Sequence, residues 1–86
     1  LTAEQHRRAF TTFVAGLLGD FDRYLDRGDV DLGRDQVSYR QVALHLTDAE
    51  LLELVGELRA ALSKRLSLPA EGRTRRLLTT ILLPVD

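Results

Sequence analysis

Apolar residues recur at helical spacing through the first third of the chain. Phe10, Phe13, Val14, Leu17, Leu18, Phe21, Tyr24 and Leu25 share one side of a helix, and Arg7, Arg8, Asp20, Asp22, Arg23 and Asp26 fall largely off it. Thr2 is placed to cap that helix, because its hydroxyl can accept a free N–H of the first turn. Glu4 and Gln5 suit the positive helix end, and Gly28 is a natural stop. Gly16 and Gly19 lie inside the helix, where each costs about 1 kcal/mol relative to alanine. They either permit close approach of another helix or are weak positions that the fold tolerates; the pattern alone leaves both open.

A polar loop, Asp29 to Gln36, separates this helix from an alternating run, Val37 to Leu46. Val42, Leu44 and Leu46 share one face of that run and Val37, Tyr39, Gln41, Ala43 and His45 the other, which is the period of a strand. Thr47 and Glu50 form a capping box. The helix it starts places Leu51, Leu54, Val55, Leu58, Leu62 and either Arg65 or Leu66 on one face and Glu53, Glu57, Arg59 and Lys64 on the wet side. Pro69 and Gly72 break the chain. Arg73 to Leu83 then reads as a second strand, apolar on both faces from Leu77 onward and closed by Pro84. The predicted order is helix, strand, helix, strand. It implies an α+β fold: one two-layer domain over residues 1–86, with a small two-stranded sheet packed on two helices. Two strands alone make a poor sheet, so completion by a second copy across a two-fold axis is expected.

Composition narrows the function. With 13 acidic and 12 basic residues the net charge is −1, so no global positive field is available to hold phosphates. The chain has no cysteine, which removes disulfides, thiolate metal sites and thiol nucleophiles. No apolar run approaches the roughly 20 residues of a membrane span, and the start lacks a signal-peptide pattern, so the expected compartment is the cytoplasm. A chain that starts at Leu1 and contains no methionine reads as a piece of a longer protein. Its eleven arginines beside the single Lys64 suggest a GC-rich, bacterial gene.

The candidate chemistry is sparse. Asp26, Asp29, Asp31 and Asp35 crowd one loop, but Gly33 and Arg40 stand where a calcium loop needs ligands, so a solvated loop interleaved with Arg27 and Arg34 is the better reading. His6 and His45 lack a second ligand at metal spacing, and no metal or cofactor is expected. No serine stands in a nucleophile elbow and no Gly-rich phosphate loop is present. Arg73, Arg75 and Arg76 read as the charged mouth of a sticky strand, ahead of a contact to DNA backbone.

Three stretches together resemble a family. Ala43 to Leu51, with Leu46-Thr47-Asp48-Ala49-Glu50, resembles the strand-into-helix passage in the C-terminal part of bacterial ArsR-like winged-helix transcriptional regulators. Glu71 to Pro84 resembles their arginine-led closing strand, and the opening helix with Phe10, Phe13, Phe21 and Tyr24 resembles the long helix after the wing. The resemblance implies a C-terminal dimerisation and effector-sensing region. The DNA-reading helix-turn-helix would precede Leu1, and DNA would be met only through that absent domain. The missing cysteines depart from the thiolate metal sensing of better-known members.

The expected function is therefore a non-enzymatic homodimerisation region, with Phe10, Phe13, Leu17, Phe21 and Tyr24 in the dimer seam and an unnamed small-molecule effector. The alternative is a ligand-binding module with a pocket between helix 1 and the sheet, using Tyr39, His45 and Thr80 as polar contacts. A small enzyme subunit is the third reading. It needs an acidic neighbour for His45 that the sequence does not place.

Overall fold

The computed structural model describes every residue, 1–86. It contains three helices, α1 (Ala3–Leu25), α2 (Leu32–Asp35) and α3 (Asp48–Leu66), and no strand. The chain divides into two units, Leu1–Val42 and Ala43–Asp86.

In the first unit, α1 starts on a closed capping box. The Gln5 N–H donates to Thr2 Oγ1 at 3.1 Å, and the Thr2 N–H donates to Gln5 Oε1 at 2.7 Å. Two of the four orphan donors of the first turn are thereby satisfied by the chain itself. Gln5 contributes more than its polarity suggested, since it closes the box that Thr2 opens. Glu4 pairs with Arg7 and, at 3.8 Å, with Arg8; Asp20 pairs with Arg23. These are exposed pairs three or four residues apart, each worth at most a few tenths of a kcal/mol. The helix closes where the Asp26 N–H reaches Asp22 O at 3.0 Å and the Arg27 N–H reaches Tyr24 O at 3.2 Å. Gly28 follows at φ +80°, a left-handed backbone that costs glycine nothing.

The segment expected to be a polar loop contains one helical turn. Asp31 caps α2 by accepting from the Arg34 N–H at 3.0 Å. The turn ends on Gln36, which takes φ +56° although it has a Cβ. Its strain is offset locally: the Gln36 side-chain amide donates to Gly33 O at 2.9 Å, and the Val37 N–H closes onto Leu32 O at 2.8 Å.

In the second unit, α3 starts on the capping box read from the sequence. The Glu50 N–H donates to Thr47 Oγ1 at 3.1 Å and the Thr47 N–H to Glu50 Oε1 at 2.8 Å. Those bonds favour the ionised carboxylate and hold Glu50 below its usual range, with the Thr47 backbone N–H the larger cause. Arg65 and Lys64 lie in the last turn, where a cation suits the negative helix end. The Pro69–Gly72 break is a turn pinned by Arg73, whose N–H reaches Ala70 O at 3.0 Å and whose guanidinium donates to Pro69 O and Glu71 O, each at 3.2 Å.

The α+β expectation is corrected. Neither Val37 to Leu46 nor Arg73 to Leu83 is a strand, so the two-stranded sheet and the layer it was to form are not there. The physical reason lies in what each signal means. A capping box and an i to i−4 ladder are satisfied inside one segment. Alternation only says that a segment would suit a ladder, and the ladder itself needs a second strand at about 4.8 Å.

No side chain in the chain is fully buried. Within each unit, no two residues twelve or more positions apart bring their Cα atoms within 8 Å. Val14, Phe21, Tyr24, Asp35 and Val37 are half-buried in the first unit, and Leu51, Leu54 and Val55 in the second.

Open space beside two helix glycines yields a first test. A Cβ built on Gly16 or Gly56 meets nothing within 4 Å. Gly16→Ala and Gly56→Ala are each expected to raise stability by about 1 kcal/mol through helix propensity alone, read as a higher melting midpoint by circular dichroism. Destabilisation by either would mean that a neighbour packs on that position.

Candidate functional site

The most developed surface feature is the apolar stripe of α1. Helical spacing puts Phe10, Phe13 and Leu17 on one side, and they remain 51%, 47% and 39% exposed. The rings of Phe10 and Phe13 stack with centroids 6.3 Å apart. Further along, Phe21 meets Tyr24 edge to face at 6.4 Å. Tyr39 closes on Phe21 in the same way at 6.0 Å, with most of its own ring still in water. Such edge-to-face pairs add about 0.5–1.5 kcal/mol beyond area, so the C-terminal half of the stripe is partly organised. Its N-terminal half is bare. The five seam residues expected from the sequence thus lie on one helix, three exposed and two half-buried.

A polar clasp holds the better-covered end. The Tyr24 hydroxyl donates to Asp35 Oδ2 at 2.6 Å. Arg34 Nε donates to Asp35 Oδ1 at 3.1 Å, while its Nη atoms reach Asp29 Oδ1 at 3.3 Å and Asp29 O at 3.0 Å. The Arg34 guanidinium, and after it the Tyr24 hydroxyl, hold the Asp35 carboxyl down to about 2, from an ordinary 3.8. The same contacts push Tyr24 up, because losing its proton would set a phenolate against Asp35. They push Arg34 up as well, with Asp35 the larger cause and Asp29 the next. Arg27 lies over the Tyr24 ring at 5.3 Å. The crowd of aspartates is therefore ordered by arginines: Asp29 and Asp35 take Arg34, and Asp31 caps α2. No group of three or more His, Asp or Glu side chains is arranged to hold a metal ion. The clasp was not foreseen. Arg34 was legible as a charge in an acidic loop, but its bridging of Asp29 to the Tyr24-bound Asp35 needed the turn of α2.

The second unit has an open apolar groove of about 350 Å³ along α3, between Val55, Leu58, Leu62 and Leu66 on the helix and Thr80 and Leu82 of the C-terminal run. Arg59 and Ser63 supply its polar edge. Of the three residues expected to contact a ligand, Thr80 lines this groove. Tyr39 belongs to the first unit, on Phe21. His45 is exposed in the irregular segment before α3. The pocket expected between helix 1 and the sheet has no sheet to form its wall. No helix is long and apolar enough to cross a membrane.

Comparison with protein families, with curated proteins and with solved structures finds no match to this chain. Any functional assignment therefore stands on the residues described above.

The clasp makes a pH and mutation prediction. A carboxyl held below its ordinary value stabilises the fold above about pH 4, and that contribution is lost as pH falls through the folded value near 2. Tyr24→Phe should raise the Asp35 titration midpoint toward 3.8, and Arg34→Leu should raise it further, since Arg34 is the larger cause. Carboxyl NMR titration reads both. An unmoved midpoint in Arg34→Leu would dissolve the clasp as described.

Proposed function

We propose that this chain is a non-catalytic assembly module, the dimerisation and effector-sensing region of a cytoplasmic bacterial transcriptional regulator. The observation that carries the reading is the bare aromatic face of α1. A capped helix of 23 residues presents Phe10, Phe13 and Leu17 to water while no side chain anywhere in the chain is buried. Fully burying a Phe or Leu side chain is worth roughly 1.5–3 kcal/mol, and a contiguous apolar patch of this kind marks an interaction surface. Two copies that join their α1 stripes remove those rings from water at once, with Phe10, Phe13, Leu17, Phe21 and Tyr24 as the seam.

The finer assignment to the C-terminal part of an ArsR-like winged-helix regulator is supported by the resemblance of Ala43 to Leu51, Glu71 to Pro84 and the opening helix. On this reading DNA is met by a helix-turn-helix elsewhere in the parent protein. Joining two copies sets the separation of the two reading helices on neighbouring half-sites. An effector acts by favouring one dimer geometry over another.

A second reading, a binding module for a small apolar ligand, is favoured by one observation: the groove along α3, apolar along its length with Arg59 and Ser63 at its edge. It is compatible with the first, because a ligand there is a candidate effector. Saturable thermal stabilisation in a screen of apolar carboxylates and related small molecules is its test.

Self-association has a direct measurement. Sedimentation equilibrium is expected to give twice the 9.7 kDa chain mass at micromolar concentration. Leu17→Glu, which sets a charge in the middle of the stripe, is expected to weaken association at least tenfold while leaving helix content unchanged. A monomer at high micromolar concentration would overturn the assembly reading.

A further inference from the structure

We infer that the partner of the α1 stripe is a second copy lying antiparallel, in a register that sets Arg7 of each copy against Tyr24 of the other. This rests on the self-association proposed above and adds its direction and alignment. Along α1 a narrow line runs through Arg7, Phe10, Val14, Leu17, Phe21 and Tyr24, in steps of three and four residues. That alternation of three and four is the heptad pattern that keeps one seam turned toward a partner helix. The seam is apolar from Phe10 to Tyr24 and carries a cation, Arg7, at its first position.

That cation separates the two possible orientations. In a parallel pair each seam residue faces itself, so two Arg7 guanidiniums meet in the seam. The two loop ends also meet. Residues 20–35 carry six aspartates against three arginines, a side-chain charge of −3 on each copy. Like charges held together in a closing interface are unfavourable. In an antiparallel pair the loop end meets the first turns of the other copy. There Arg7 and Arg8 outweigh Glu4, a side-chain charge of +1 over residues 1–13. The charge pattern thus favours the antiparallel pair at both ends.

The stripe also selects the register. Setting Arg7 across from Tyr24 brings Phe10 to Phe21 and Val14 to Leu17, and the same three pairings recur in reverse. Every residue of this line then has a partner, and Phe13 flanks it. A shift by one heptad in either direction leaves part of the line without one. The register delivers Arg7 to the Tyr24 ring, whose π face suits a cation, at the end of the segment that carries a side-chain charge of −3. Arg27 already lies over that ring at 5.3 Å. The second copy's Arg7 therefore takes the other face of the ring.

The chain has no cysteine, so a single introduced thiol carries a nitroxide label without ambiguity. Pulsed electron paramagnetic resonance on labelled Ala3→Cys and Thr11→Cys, with the mass by sedimentation, is the test. In the proposed register the two Ala3 positions stand 25 residues apart along the paired helices. At 1.5 Å per residue that is about 38 Å. The two Thr11 positions lie about 14 Å apart along the axis, and interaxial separation is about 8–10 Å. A long distance at Ala3 with a short one at Thr11 supports the antiparallel register. Short distances at both positions in a dimer mean a parallel pair and overturn this orientation while leaving the assembly reading intact. A distance at Ala3 displaced by about 10 Å, one heptad of rise, overturns the register. A monomer with no dipolar signal at either position overturns both this inference and the reading beneath it.

Discussion

An apolar helix face in contact with water is the constraint from which the other features follow. Both long helices are self-sufficient in hydrogen bonds: each opens on a closed capping box and runs on its own ladder. Neither is self-sufficient in burial. The stripe of α1 and the face of α3 keep most of their large side chains more than a third exposed. Helix stability in proteins comes mostly from packing of the amphipathic face rather than from propensity. A helix with good caps and a bare stripe has therefore met its local requirements and still lacks its largest stabilising term. In the first unit part of that term is supplied by Tyr39 on Phe21, and only at the C-terminal end of the stripe.

That partial cover depends on a short polar circuit. Asp31 starts α2, Gln36 ends it in a left-handed conformation, and Val37 locks back onto Leu32. The turn delivers Asp35 to the Tyr24 hydroxyl and Arg34 to Asp29. Charge-assisted bonds of this kind fix geometry more than they add stability when water reaches them. Their consequence is positional: the chain after α2 leaves in a direction that sets Tyr39 on the edge of Phe21. An acidic loop that looked like a solvated connection is therefore the element that organises one end of the candidate interface.

The two units differ in how the candidate surface is made. In the first, aromatic rings on one helix form a ridge whose chemistry is van der Waals area with a tyrosine hydroxyl at one end. In the second, a groove forms because Thr80 and Leu82 lie beside the α3 face, leaving space of about 350 Å³. A ridge suits another helix and a groove suits an inserted group, and the two readings of function divide along that line. Arg73 belongs with neither. Folded over the Pro69–Gly72 turn, it spends its donors on backbone carbonyls.

Reading the chain residue by residue was enough for everything that closes within one turn. The Thr2 and Thr47 caps, the α1 stripe, the stop at Gly28 and the break at Gly72 were all legible, because each is decided by neighbours three or four positions away. Gln36 in a left-handed conformation and the Tyr24–Asp35–Arg34 clasp were not, since they join residues up to eleven positions apart through a turn that the composition of the loop concealed. The sheet was the largest error. Alternation in Val37 to Leu46 and apolar content in Arg73 to Leu83 describe what a strand would bury, but a strand exists only when a second backbone supplies its hydrogen bonds. Local sequence therefore determined the helices and their caps. Tertiary structure alone decided that the two strand-like runs stay unpaired, because pairing is a property of two segments and neither contains the other's position.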